Sequence, residues 1–156
     1  MWLVIVIILV LIDQASKFFV GSTMSVGQQI VLIPDVFNIR YILNKGATFG
    51  ILENAQWLFI SLTAIVVVII LVQIRSERKR GHSVIPEAIL LGGALGNLID
   101  RLIFGYVRDF LEVPFFAVMN FADWFVTLGV ILVIVKYVFF YKRDRDQFEI
   151  DAQGYE

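Results

Sequence analysis

Four apolar stretches, each close to the length of a membrane-spanning helix, constrain the fold of this chain more than any other feature. They run from about 2 to 20, 57 to 74, 84 to 104 and 124 to 141. A helix needs about 20 apolar residues to cross roughly 30 Å of hydrocarbon. With 59% hydrophobic residues among 156 and a mean hydropathy of +0.82, the chain has more apolar surface than a soluble domain of this size can bury. We predict an all-α integral membrane protein with four transmembrane helices, forming a single membrane domain over residues 1–156.

Basic residues beside the apolar stretches predict the orientation in the membrane. They are Arg75, Arg78, Lys79 and Arg80 after the second stretch, and Lys142, Arg143 and Arg145 after the fourth. Positively charged loops stay in the cytoplasm, so residues 75–83 are predicted as a cytoplasmic loop and 142–156 as a cytoplasmic tail that frays from Asp144 onward. Both termini are then cytoplasmic. Residues 21–56 and 105–123 face outward, the latter as a loop.

The first outward segment has the pattern of a short hairpin. Gln29–Ile33 and Val36–Leu43 are rich in apolar, β-branched and aromatic residues, and they flank the turn-forming pair Pro34-Asp35. Apolar residues alternate in part of the second run, which is typical of a strand with one covered face. We expect a small sheet on the outer membrane surface.

Composition excludes several kinds of chemistry. The chain has no cysteine and one histidine, His82, which lies in a charged loop. Disulfides, thiolate metal sites and a thiol nucleophile are excluded, and a histidine-based triad or zinc motif is not expected. No basic stripe interleaved with aromatic residues indicates nucleic-acid binding. If the chain does chemistry at the membrane, carboxylates are almost the only groups available.

Charged residues inside an apolar stretch need a partner or a function, because each costs at least about 2.5 kcal/mol to insert. Asp13 and Lys17 are four residues apart and therefore lie on one face of the first helix. One interpretation is an internal ion pair, with Lys17 extending outward along its alkyl chain. The other is that Asp13 points into the bundle and positions another polar group.

The third stretch carries a polar face. Asn97, Asp100 and Arg101 stand at i, i+3 and i+4, so they project from one side of the helix. Packing does not explain three polar residues there, and we expect an Asp-Arg pair with an amide one turn below, supporting a site. Gly92 and Gly96, by contrast, are interpreted as a small-residue face that lets helices approach closely.

Asp109 and Asp123 flank the segment between the last two stretches, each where an apolar helix is predicted to meet the outer membrane face. Two carboxylates held close together share a proton, so one acts as base on a water while the other protonates the departing group of a peptide bond. Each residue also has a simpler interpretation. Asp109 suits a loop acid beside Arg108, and Asp123 suits the third residue of a helix capped by Asn120.

Five short motifs, taken in order, give the chain a family resemblance. They are Asp13-Gln14-x-x-Lys17, Asn44-x-Gly46-Ala47-x-Phe49-Gly50, Gly93-x-x-Gly96-Asn97-x-x-Asp100-Arg101, Val107-x-Asp109-Phe110 and Asn120-x-Ala122-Asp123. The two-glycine turn of the second motif is a weak signal alone. Together, from residue 13 to about 129, the motifs resemble the bacterial lipoprotein signal peptidase (signal peptidase II) family, whose length and four-span layout also agree.

The resemblance implies an aspartyl protease of the bacterial cytoplasmic (inner) membrane, which cuts prolipoproteins just before a cysteine that carries a diacylglyceryl group. Asp109 and Asp123 take the places of the catalytic pair. Eight further residues take the places of family residues that shape or support the site, namely Asp13, Lys17, Asn44, Gly46, Asn97, Asp100, Arg101 and Asn120. The family fold has four helices and a small extracytoplasmic β-cradle. No metal or organic cofactor is needed, the partners are lipidated prolipoproteins and membrane lipids, and a monomer contains all the named residues.

Two residues depart from the family pattern. Arg108 occupies a position that is usually apolar, commonly valine, and we expect its side chain to point towards lipid headgroups. Trp124 follows the second aspartate where a small residue is common. These departures bear on the level of activity and not on the family.

Two other functions are compatible with polar residues in a membrane. A small transporter lines a proton or ion path with such groups. Here, however, the polar residues concentrate toward the outer side, and the second stretch is almost wholly apolar. A third possibility is an inactive relative that binds lipoproteins as a scaffold. The presence of both acids argues against it.

Overall fold

Four helices and a four-stranded antiparallel sheet make up the computed structural model, which describes residues 1–46 and 56–153, with side chains to residue 139. The helices are α1 (Trp2–Thr23), α2 (Gln56–Lys79), α3 (Ile85–Phe104) and α4 (Phe121–Gln153). The strands are β1 (Gln29–Ile33), β2 (Phe37–Asn44), β3 (Val107–Val113) and β4 (Ala117–Met119), in the spatial order β1-β2-β3-β4. The chain is therefore mostly helical, with a small antiparallel sheet.

Three of the described helices are long and apolar enough to cross a membrane, namely α1, α2 and the Phe121–Phe139 part of α4. The sequence predicted four spans, but α3 is not among these three. It carries three charged residues, Glu87, Asp100 and Arg101, and it packs against α1, α2 and α4 with Glu87 and Asp100 buried. α4 continues as a helix to Gln153, where the sequence predicted fraying from Asp144 onward.

Glycines set the distance between α3 and its neighbours. A side-chain carbon at Gly93 would lie 2.5 Å from the carbonyl oxygen of Ala122 in α4, and one at Gly96 would lie 2.5 Å from the Asp13 carboxylate in α1. Gly92 faces α1 in the same way, so the predicted packing role of Gly92 and Gly96 is confirmed. Only residues without a β-carbon allow the polar groups of these helices to meet.

The sheet combines a predicted hairpin with an unpredicted one. β1 has the predicted bounds, and β2 is shifted by one residue. β3 and β4 occupy the segment that was predicted as an outer loop, and β3 pairs with β2. Asp109 therefore lies inside a strand, opposite Ile42, and not in a loop or at a helix end as expected. The pattern of the sequence did not show this pairing because it joins distant parts of the chain.

Two apolar clusters hold these elements together. One lies between α1, α2 and α3 at the end away from the sheet, and it contains Val6, Ile70, Ile74, Val84, Ala88 and Leu91. The other joins the end of α1 to the sheet and contains Val20, Tyr41, Phe110 and Leu111. Because Phe110 follows Asp109, the second cluster helps to fix the position of that acid.

A buried charge cluster crosslinks three helices at the end of the bundle opposite the sheet. Lys136 Nζ of α4 lies 2.8 Å from Glu77 Oε2 of α2 and 2.7 Å from Glu87 Oε1 of α3. Glu87 is 1% exposed, and within the described part of the chain its Oε2 atom has no hydrogen-bond partner. Lys136 is the cation that Glu77 and Glu87 share in this Glu77–Glu87–Lys136 cluster, and Glu77 also contacts Arg80 at 3.5 Å and His82 at 3.1 Å.

Replacing Lys136 by methionine should therefore destabilise the fold by on the order of 3 kcal/mol, because two buried carboxylates lose their shared cation. Unfolding in detergent micelles, followed by circular dichroism, measures this change. Lys79, which is exposed at the end of α2, is the matched control, and Lys79→Met should cost less than about 0.5 kcal/mol. Equal losses in the two variants would show that the cluster adds no stability of its own.

Candidate active site

Asp109 and Asp123 meet where the sheet joins α4. β3 carries Asp109, β4 returns the chain, and α4 begins with Asp123 in its first turn. Asn120 contacts both acids. Its Nδ2 donates to Asp109 Oδ1 at 2.6 Å, and its backbone N–H donates to Asp123 Oδ2 at 3.1 Å. The fold thus gives two acids from different elements a common neighbour.

Neutral amides surround the Asp109 carboxylate, which is 2% exposed. Asn44 Nδ2 donates to Oδ2 at 2.9 Å, while Asn120 donates to the other oxygen. Burial disfavours the charged form and raises the pKa of Asp109 from near 3.8 to about 7, although the two amide hydrogen bonds act in the opposite direction. The charge of Asp123 raises this pKa further. A carboxyl group that titrates near neutral pH is suited to proton transfer.

Asp123 is partly buried and forms the N-terminal cap of α4 together with Asn120. Asn120 Oδ1 accepts the Asp123 N–H at 3.0 Å, and Asp123 Oδ2 accepts the Asn120 N–H in return. This reciprocal pair is a capping box, so the simpler interpretation of these residues is confirmed. The other oxygen of Asp123 accepts from Asn97 Nδ2 at 2.7 Å. Capping does not exclude a chemical role, because it fixes an acid at the positive end of a helix.

A fully buried ammonium supports these amides from α1. Lys17 Nζ lies 2.8 Å from Asp13 Oδ2 and donates to Asn97 Oδ1 at 2.9 Å. Asn97 Oδ1 also accepts from Asn120 Nδ2 at 3.0 Å. Asp13 Oδ1 accepts the backbone N–H of Ala122 at 2.9 Å, at the start of α4. The predicted ion pair between Asp13 and Lys17 is present, but Lys17 is 0% exposed and does not extend outward. Asp13 also points into the bundle, as the second interpretation expected.

Arg108 is buried against Asp100, and the expectation that it points towards lipid headgroups is wrong. Its Nη2 donates to Asp100 Oδ1 at 2.7 Å, while its Nε and backbone N–H donate to Oδ2 at 3.2 and 2.9 Å. Nη2 also donates to Gln14 Oε1 at 3.0 Å, and the guanidinium covers the Phe104 ring at 4.5 Å. The physical reason is that Asp100 is completely buried and requires a cation.

Arg101 does not form the pair with Asp100 that its spacing suggested. Its guanidinium stacks on the Phe59 ring of α2, 5.4 Å from the ring centroid, and its backbone carbonyl accepts from Gln56 Nε2 at 2.7 Å. The residue is partly exposed, and its charge acts on both acids. Arg101 therefore stands at the edge of the site, where it can meet a ligand.

The fold joins most of the predicted support residues to the acid pair. Hydrogen bonds and ion pairs connect Asp13, Lys17, Asn44, Asn97, Asp100 and Asn120 to it in one network. Gly46 borders the network, since its N–H donates to Asn44 Oδ1 at 3.1 Å. Ala47, Phe49 and Gly50 of the second motif lie outside the described residues.

Sequence reasoning did not identify Gln14 and Arg108 as members of this network. Gln14 Nε2 lies 3.1 Å from both Asp13 Oδ2 and Asp100 Oδ1, so it connects α1 with α3. A polar residue beside Asp13 in an apolar helix was a signal that could have identified Gln14. No comparable signal marked Arg108, because its burial follows from the strand that carries it.

Amides hold the acid pair at one end of the bundle, and the bundle contains helices long enough to cross a membrane. These two features define a membrane protein with a carboxylate site. Among the side chains that the structure describes, in residues 1–46 and 56–139, no three from His, Cys, Asp or Glu are placed to hold a metal ion. The sequence model of the signal peptidase (SPase) II family matches residues 5–139. The chain therefore belongs to the signal peptidase II family, whose members are peptidases.

Similar proteins named lipoprotein signal peptidase occur in several bacteria. That of Halothermothrix orenii is 41% identical over 132 residues, which cover 85% of this chain and 91% of the relative. Those of Brevibacillus brevis and Pseudomonas aeruginosa are 38% and 41% identical, covering 93% and 85% of this chain and 100% and 84% of the relatives. Two solved structures of a bacterial membrane enzyme superpose with TM-scores of 0.76 and 0.78, at 31% and 32% identity. The matches cover 88% and 86% of this chain and 87% and 90% of theirs.

Replacing Asn44 by leucine should raise the pKa of Asp109 above about 7, because the lost hydrogen bond favours the ionised carboxylate. Infrared titration of the protonated carboxyl band, identified by its loss in Asp109→Asn, measures this shift. Asn38→Leu is the matched control, since Asn38 lies in the same strand and donates to Glu112 at 2.9 Å. An identical titration of Asp109 in wild type and Asn44→Leu would contradict the assigned contact.

Proposed function

We propose that this chain is a membrane aspartyl endopeptidase that removes the signal peptide from prolipoproteins, cutting just before a diacylglyceryl-modified cysteine. The observation that carries the proposal is the position of Asn120, which hydrogen-bonds Asp109 and Asp123 at once. Membership of the signal peptidase II family, and relatives named lipoprotein signal peptidase, support the substrate class.

The different surroundings of the two acids suggest different roles. Asp109 is buried and has a pKa of about 7, so it is the member that holds the proton. Asp123 accepts N–H groups from Asn97 and Asn120 at the start of α4, and we assign it the role of the base. The reaction needs one acid to give a proton and the other to take one.

The reaction then follows from these roles. Asp123 takes a proton from a water, and the water oxygen forms a bond to the carbonyl carbon of the residue before the lipidated cysteine. The carbon–nitrogen bond breaks as Asp109 gives its proton to the departing amine. Transfer of the new proton from Asp123 to Asp109 restores the starting pair. No other group needs to change its protonation state.

Arg101 is the best placed residue to hold the substrate backbone. It is partly exposed, its guanidinium is held against Phe59, and its charge acts on both acids. A guanidinium is a strong donor to carbonyl groups. Asn44 donates its amide to Asp109, so we assign it to the acid pair.

The location of the site agrees with a substrate anchored in the outer leaflet of the bacterial cytoplasmic membrane. The basic residues at the end of α2 lie at the end of the bundle away from the sheet, and this supports an orientation with both termini in the cytoplasm and the acids towards the outer leaflet. α3 is then the fourth span, shielded by its neighbours. Val31 in β1 is 57% exposed and Phe115, between β3 and β4, is 101% exposed, as suits a sheet that lies on lipid. One chain supplies the whole network, so a monomer suffices.

Cleavage of a diacylglyceryl-modified prolipoprotein by the purified protein in detergent tests the proposal. Asp109→Asn and Asp123→Asn should each lower the rate by at least about three orders of magnitude, because each removes one of the two proton-transfer groups. Circular dichroism and gel filtration would verify that both variants are folded. The release of the signal peptide is followed as a gel shift.

Other outcomes separate the alternatives. Cleavage that survives either substitution would contradict the assignment of the acid pair. If wild type binds the modified substrate without cutting it, the chain is an inactive lipoprotein-binding relative. If it neither binds nor cuts, a transport function is favoured, and a proton-flux measurement in vesicles would follow. Unmodified prolipoprotein is the matched control and should not be cut.

The rate should also depend on pH in a defined direction. As the pH rises through about 7, free Asp109 loses its proton, and two ionised acids can no longer serve as acid and base. We expect kcat/KM, which reports the free enzyme, to fall about tenfold per pH unit above that value. Measurement between about pH 5 and 9 tests this. A constant kcat/KM over that range would contradict the role of Asp109 as the protonated acid.

A further inference from the structure

Arg108 precedes Asp109 in β3, and successive side chains of a strand point to opposite faces. Asp109 faces the amide of Asn44, whereas Arg108 faces the helices. Three donors of Arg108 bind Asp100 of α3, and its Nη2 also donates to Gln14 of α1. These bonds attach the strand to two helices one residue away from the proposed acid.

Asp100 also lies near a second cation. Lys17 Nζ is 3.7 Å from Asp100 Oδ2, farther than its distances of 2.8 Å to Asp13 and 2.9 Å to Asn97. Lys17, Asp13 and Asp100 are each completely buried, so net charge among them is costly. With Arg108 in place, two carboxylates face two cations. Without it, Lys17 alone must serve both carboxylates.

The contact between Lys17 and Asn97 matters because Asn97 touches the acid pair. Asn97 Oδ1 accepts from Lys17 and from Asn120, and its Nδ2 donates to Asp123. A shift of Lys17 toward Asp100 would remove one of the bonds that fix the orientation of this amide. A substitution of Arg108 would therefore alter the hydrogen bonding around Asp123 as well as the position of Asp109.

We propose that Arg108 is a positioning residue of the acid pair. It holds β3, and with it Asp109, against the helices, and it neutralises Asp100 so that Lys17 remains on Asn97. This inference rests on the proposed function, because it concerns the same two acids. Arg108 itself touches neither the substrate nor the reacting atoms.

The test replaces Arg108 by methionine, which keeps an unbranched chain and removes the guanidinium. The value of kcat for cleavage should fall at least about tenfold while KM stays within about twofold, because only the geometry of the reacting groups is lost. The rates are measured at a temperature at which circular dichroism shows the variant fully folded. Arg108→Lys keeps the charge without the two-pronged contact and should have an intermediate kcat.

Arg40→Met is the matched control from the same sheet. Arg40 lies in β2 and pairs with Glu112 at 3.0 Å, but its side chain is 47% exposed. A surface ion pair of this kind contributes little, so kcat should stay within about twofold of wild type. A loss equal to that of Arg108→Met would show that any arginine of the sheet has the same effect, and would overturn the inference.

A double-mutant cycle with Asp100→Asn tests whether Arg108 acts through Asp100. If it does, the double variant should lose no more kcat than the worse single variant. Losses that multiply would overturn the inference, as would an Arg108→Met kcat within about twofold of wild type. If Arg108→Met does not fold, Arg108→Gln, which keeps one donor for Asp100, takes its place in the cycle. Inactive wild type would contradict the proposed function, whereas active wild type that is indifferent to Arg108 contradicts only this inference.

Discussion

The burial of carboxylates at one end of an apolar bundle is the constraint on which the rest of the structure depends. Solvent has almost no access to Asp13, Asp100 and Asp109. Polar groups of the protein must therefore replace the hydration that each carboxyl group has lost. The donors come from several elements, and they include Lys17 from α1, Asn44 from β2, Arg108 from β3 and the backbone N–H of Ala122 at the start of α4. The positions of the sheet and of α4 are therefore set by polar contacts as much as by apolar packing.

The supporting acids differ from the acids that we assign to the reaction in the kind of hydrogen-bond donor that binds them. Lys17 and Arg108 bind Asp13 and Asp100, so each of these supporting acids has a cationic partner. The proposed catalytic acids are instead bound by the amides of asparagines and by a backbone N–H. Neutral donors stabilise the charged form less strongly, so a proton can move on and off. The cations are thus placed one contact away from the acids that must change their protonation state.

Local patterns in the sequence predicted the parts of the structure whose causes are local. The first hairpin, the cap formed by Asn120 with Asp123, and the shared polar face of Asn97 and Asp100 all follow from neighbouring residues. β3 was not predicted, since its partner strand lies far away in the chain and its residues show no alternation. The direction of Arg108 was wrong for the same reason, because only the fold shows that Asp100 is buried beside it. The expectation that the two acids act together came from the order of family motifs, and spacing alone left it open.

The opposite end of the bundle shows that buried acids alone do not make a reactive site. There Lys136 contacts both Glu77 and Glu87, just as Asn120 contacts both acids beside the sheet. An ammonium between two carboxylates binds them as ion pairs and offsets their charge. An amide in the same position holds two acids together without fixing their charge. At both ends one residue joins two acids. At one end this contact crosslinks helices, and at the other it serves the proton transfer that we propose, and the two joining groups differ in their charge.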